Sequence, residues 1–192
     1  YIWEYYKWYI IVITFAVIFG IYLIFSYATR KEEVAHVLMV NADLEAVSDD
    51  DNRMFDGLLS DNGYNTAKQE VAVNDGLHVD PTGVGQNNYY TFSSILTILE
   101  AGGADVYLAD PETFDLIGST SNLKDLSTVL PEDIMEKYAD KLVYATDEET
   151  KEEYPCGIEI TGNEWTKETG LYSGECVIGA AYGDARDGLS EK

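Results

Sequence analysis

The chain of 192 residues is long enough for one ordinary domain with an appendage and too short for two full domains. With 46% hydrophobic and 12% aromatic residues, it does not have the composition of a disordered protein. Its 12 basic residues stand against 35 acidic ones, a net charge of −23, which argues against a nucleic-acid partner and against an anionic lipid surface.

The first element is apolar. Residues 8–27, WYIIVITFAVIFGIYLIFSY, carry no charge, and a helix over them reaches roughly 30 Å, the hydrocarbon thickness of a bilayer. Tyr1, Trp3, Tyr5, Tyr6, Trp8 and Tyr9 crowd one end and Tyr22 and Tyr27 lie towards the other, as interfacial aromatic belts do. A cleaved signal peptide competes with this reading, because Ser26-Tyr27-Ala28 loosely fits a small-x-small cleavage site. The run is longer than the roughly 7–15 apolar residues of such a peptide, which favours an uncleaved anchor.

The expected organisation is a cytoplasmic flank at 1–7, a transmembrane helix at 8–27, a short linker at 28–33 and an extracytoplasmic α/β domain at 34–192. This makes a single-pass protein of the cell membrane. Lys7 before the span and Arg30 and Lys31 after it do not decide the orientation by charge. Residues 32–192 hold 9 of the basic and 34 of the acidic residues, a net charge of about −25.

Val34 to Val40 is a continuous apolar run, as in a strand buried on both faces. Ser48 with Asp51 resembles a capping box opening a helix whose Met54, Phe55, Leu58 and Leu59 share a face, with Gly63 as its stop. Gln69, Val71 and Val73 mark a second strand, followed by a polar loop from Asn74 to Asn88. Phe92, Ile95, Leu96 and Leu99 have helical spacing, and Gly102-Gly103 ends that helix.

Asp105 to Ala109 is a third strand, after which Asp110 caps a helix with Pro111 at its first position. Pro131 starts a further helix through Tyr138. Leu142 to Thr146, Tyr154 to Ile160 and Glu175 to Ala181 complete the strands. Ser190 to Lys192 reads as the start of a helix, so the domain is expected to be truncated there. The order β-α-β-α-β requires parallel strands with crossovers, and predicts a single three-layer α/β domain.

Chemistry is sparse. His36 lies in an apolar strand and reads as a core histidine. Neither it nor His78 sits in a metal-binding spacing, so no metal and no cofactor are expected. Nucleophile-elbow and phosphate-loop motifs are absent, and no enzymatic activity is expected. Asp49-Asp50-Asp51 and Asp184 to Gly188 lack the alternating ligands of a calcium loop. Gly83, Gly85 and the residues up to Asn88 form a glycine-rich loop before a helix, a weak anion-binding signal. Cys156 and Cys176 are too few for a disulfide scaffold. They read either as two small buried residues or as one bridge between neighbouring strands.

Leu96 to Asp133, LTILEAGGADVYLADPETFDLIGSTSNLKDLSTVLPED, resembles a segment of the extracellular solute-binding proteins of bacterial ABC importers. Ala101-Gly102, Asp105-Val106, Asp110 and Leu123 to Leu126 follow that family's order, and Glu153 to Gly157 resembles its hinge strand. The chain also resembles small, singly anchored proteins of Firmicutes that begin like its YIWEYYKWY. The resemblance implies one lobe of a type II periplasmic-binding-protein fold, an inside N-terminus and a ligand-binding role. The roughly 160 residues after the anchor suffice for one lobe only, which puts two-lobed closure on a ligand in doubt.

In an α/β domain the ligand site lies beyond the carboxyl ends of the parallel strands, which selects Asn41, Asp43 and Asp110, with Tyr154 near the hinge. The plainer alternative makes Asp110 a helix cap and Asn41 a loop residue. The sequence therefore predicts a membrane-anchored extracytoplasmic binding domain for a small-molecule ligand. The alternative is a structural or interaction module with an envelope protein as partner.

Overall fold

The continuous apolar run after the linker forms an interior strand of the sheet. Strand β1 (Glu32–Val40) carries Leu38 and Val40 into the core on one face and Val37 and Met39 into the core on the other. The computed structural model describes residues 30–43, 54–83, 85–120, 122–147, 150–172 and 174–182, together with 15, 17–19, 21 and 22. Most of the expected span 8–27 lies outside the described residues. So do Ser48 to Asp51, Asp184 to Gly188 and the helix expected from Ser190. Among the described residues no helix is long and apolar enough to cross a membrane.

After β1 come helix α1 (Asp56–Asp61), strand β2 (Gln69–Leu77), helix α2 (Gln86–Glu100), strand β3 (Val106–Ala109) and helix α3 (Pro111–Gly118). Two short helices follow, α4 (Leu126–Val129) and α5 (Glu132–Lys137). Strands β4 (Leu142–Thr146) and β5 (Glu153–Glu159), helix α6 (Glu164–Thr169) and strand β6 (Val177–Ala180) close the described chain. The predicted strand set is present with ends shifted by a few residues. Strand β1 starts inside the expected linker, and β2 takes Asn74 to Leu77 from the expected loop.

The result is a mixed α/β domain on a six-stranded sheet of order β2-β1-β3-β6-β5-β4. Strand β1 pairs in parallel with both β2 and β3, as the βαβαβ order requires. Strand β6 then inserts antiparallel between β3 and β5, and β4 pairs antiparallel at the far edge. Helices α2 and α3 bury Ile95, Leu99, Phe114 and Ile117 on one face of the sheet. Helices α1 and α6 bring Phe55, Leu59 and Trp165 to the other face.

Val143 pairs with Gly157 and Tyr144 with Pro155, so Cys156 is the extra residue of a β-bulge. The bulge turns Cys156 into the core cluster around Phe114, whereas Cys176 belongs to the cluster on the opposite face. Cys176 pairs with Ile160, four residues along from Cys156, a separation of about 13 Å. A disulfide needs Cα atoms within about 7 Å. Both cysteines are free and buried, so the bridge reading is corrected in favour of two small core residues.

His36 also departs from expectation. It lies at the middle of β1, just before the buried residues Val37 to Val40, and its Nε2 meets Glu33 Oε2 at 2.8 Å with the ring partly exposed.

Candidate functional site

Strand β2 lies on one side of β1 and β3 on the other, so the chain leaves the carboxyl ends of β1 and β3 in opposite directions. Such a switch point opens a crevice in α/β sheets. Asn41 directly follows β1 at φ 59°, a left-handed conformation that asparagine tolerates better than most residues. Its backbone N–H donates to Leu77 O at 3.0 Å. Its side-chain Oδ1 accepts from Val79 N–H at 2.8 Å, while Nδ2 donates to Val79 O at 2.8 Å. The same Nδ2 lies 2.8 Å from Asp110 Oδ2 and 2.9 Å from Thr113 Oγ1. One carboxamide thereby ties the ends of β1 and β2 to the start of α3.

Asp110 caps α3 as the Asp-Pro pair predicts, its Oδ1 accepting from Thr113 N–H at 3.0 Å. Thr113 Oγ1 donates to Asp110 Oδ2 at 2.8 Å and is itself fully buried. Burial pushes the Asp110 carboxyl up, but hydrogen bonds from Asn41 and Thr113 outweigh it and hold the group below its ordinary value. The cap also occupies the N-terminus of α3, so this end of the helix offers no free anion site.

Tyr172 completes the floor. Its buried hydroxyl lies 3.0 Å from Val40 O and 3.2 Å from Leu108 O, across the ends of both switch-point strands. Burial raises its pKa above the usual tyrosine value and keeps the hydroxyl protonated, with Cys176, Tyr107 and Asp110 adding to the effect. Asp43 N–H donates to Leu171 O at 2.6 Å. Asn41, Asp43, Asp110, Glu112, Tyr172 and Glu175 border an open pocket of about 450 Å³. Its rim presents carboxylates, which favour a ligand rich in hydrogen-bond donors, such as an amine or a polyol, and repel anions.

Three of the four sequence-derived residues, Asn41, Asp43 and Asp110, thus come together. Tyr154 does not join them. Strand β5 runs in the same direction as β1, so its first residues lie at the opposite edge of the sheet. There the Tyr154 hydroxyl donates to Gly118 O at 3.1 Å, and burial with nearby acidic groups pushes its pKa up to about 12. It borders a separate, smaller depression of about 240 Å³ with Asp125, Asp147 and Tyr182.

Sequence reasoning missed Tyr172, which lies in a stretch without periodicity, and Glu175, which it takes only as the first residue of a strand. It also missed α6, whose cues are its cap Asn163 and the left-handed Gly170.

The glycine-rich loop before α2 is closed on its own residues. Asp80 Oδ1 accepts from Thr82 N–H and hydroxyl, and Asn88 bonds the backbone of Asp80 and Gly83. Among the described residues no three His, Cys, Asp or Glu side chains are grouped to hold a metal ion. No family model, no curated protein and no solved structure matches the chain.

Proposed function

We propose that the chain is a membrane-anchored, extracytoplasmic binding domain resembling one lobe of a solute-binding protein, and that it binds its ligand without chemistry. The observation that carries the reading is the convergence of Asn41, Asp43 and Asp110 on one pocket at the β1/β3 switch point. Three parallel strands centred on β1 are consistent with such a lobe. The described residues between Phe15 and Tyr22 support the anchor. They are helical, apolar and at least 53% exposed, and at 100° per residue they spread over an arc of about 200° of the helix.

A thermal-shift screen of the full chain against amines, amino acids, sugars and short peptides tests the binding role. Stabilisation that disappears in Asp43→Asn supports it, and a panel in which nothing stabilises the protein sinks it. Alkaline carbonate extraction of membranes tests the anchor separately.

A second reading, an envelope interaction module, is favoured by Tyr89 and Tyr90. These adjacent rings lie 6.1 Å apart near the start of α2 and are 68% and 58% exposed. Crosslinking in membranes that recovers only monomer argues against it.

A further inference from the structure

The two faces of the sheet are unequally covered. Helix α2, with 15 residues, and α3 close one face, whereas the opposite face carries α1 and α6 of six residues each. A six-residue helix covers only about 9 Å of sheet. Between α1 and α6 lies an apolar groove of about 340 Å³, floored by Val37, Val106 and Ile178 and walled by Phe55, Leu58 and Trp165. The Phe55 and Trp165 rings are stacked with centroids 5.8 Å apart, and Leu58 stands 62% exposed at the edge.

We propose that this groove is a binding site for the hydrocarbon tail of an uncharged amphiphile drawn from the bilayer.

The wall chemistry excludes most other occupants. Among the described residues that line it, only Asn163 and Trp165 carry a side-chain polar atom. The Asn163 carboxamide oxygen is engaged, accepting from Thr166 N–H at 2.7 Å as the cap of α6. A polar ligand group in the groove would lose water and gain almost no partner. A second copy is opposed by the charge of −23 on each chain. The volume lies at the small end of the roughly 300–1,000 Å³ typical of ligand pockets, the size of a small apolar ligand.

The remaining argument is position, and it rests on the membrane-anchored reading above. Ala35, at the β1 end of the groove, is eight residues beyond Tyr27, the last residue of the apolar run. Eight residues span at most about 28 Å, which sets the greatest distance between the β1 end of the groove and the end of the apolar run.

The test uses the full chain in phosphatidylcholine nanodiscs, a decanol carrying an alkyl diazirine as photoprobe, and mass spectrometry of the labelled peptides. Saturable labelling of peptides containing residues 55–58 and 163–165, displaced by excess decanol, is expected. Ala35→Trp, which fills the groove, and Leu58→Gln, at an exposed position, should each cut that labelling about tenfold. A melting curve confirms that each variant is folded. Labelling confined to residues 8–27, or labelling of the groove that neither variant changes, overturns the proposal. The amine and sugar response lost in Asp43→Asn should persist in Ala35→Trp, so failure of the polar pocket and failure of the groove are told apart.

Discussion

Asn41 and Asp110 are joined by a 2.8 Å hydrogen bond across 69 residues of sequence, and this bond links the ends of two parallel strands to the cap of a helix. The carboxamide also makes two backbone bonds to Val79, so its removal strips the Val79 N–H and C=O of these bonds and takes one donor from the Asp110 carboxylate. Asn41→Ala is therefore expected to destabilise the domain by about 2–4 kcal/mol, read from denaturant unfolding. Asn41→Gly relieves the left-handed backbone and should lose less, and the difference between the two variants isolates the backbone term. Equal losses would mean that strain at this residue is negligible.

The pH dependence of stability should carry a signature of Asp110. Its folded pKa lies below its ordinary 3.8, so the carboxylate contributes stability that is complete above that value. The contribution is lost as pH falls through the folded pKa. Asp110→Asn removes the titration, so unfolding free energy plotted against pH should fall less steeply below about pH 4 in the variant than in the wild type. Parallel curves would show that Asp110 gains nothing from Asn41 and Thr113.

The two thiols should be silent in the folded protein. Burial pushes both Cys156 and Cys176 up to about 12, which leaves little thiolate at neutral pH. Iodoacetamide is expected to add no mass to the native chain at pH 7 and two carbamidomethyl groups after denaturation without reductant. A chain that accepts label only after reduction would restore the disulfide reading rejected on geometry.

What could be read from the residues was mostly local. The Asp110-Pro111 cap, the apolar run of β1 and the helical spacing of Ile95 and Leu99 each follow from a few neighbouring side chains. Asn41 and Asp110 were reachable because parallel strands share one carboxyl edge. Tyr154 was misplaced for the complementary reason. Its position depends on the insertion of β6 between β3 and β5, a long-range pairing that sets the direction of β5. Cys156 follows the same logic, since a single-residue bulge breaks the alternation that would otherwise assign its face. Tyr172 was hidden because its partners are backbone carbonyls 132 and 64 residues away.

Gly157 and Gly179, directly paired across β5 and β6, form a seat for the Phe114 ring. A Cβ on Gly157 would lie 2.6 Å from Phe114 Cζ and 2.7 Å from Val177 Cγ1. On Gly179 it would lie 2.6 Å from both Phe114 Cζ and the backbone oxygen of Cys156. Phe114 is fully buried and tilts against Tyr107 with centroids 5.4 Å apart, so the ring has no room to withdraw. Gly157→Ala is expected to destabilise by about 1–3 kcal/mol through overpacking, and Gly179→Ala by more, because its clash includes rigid backbone. Phe114→Leu opens the seat at the price of a cavity, so the double variant with Gly157→Ala should lose less than the sum of the single losses. With Gly179→Ala the rescue should be weaker, since the Cys156 carbonyl remains in place. Strict additivity in the Gly157 cycle, measured by denaturant unfolding, would show that the glycine is not there to seat the ring.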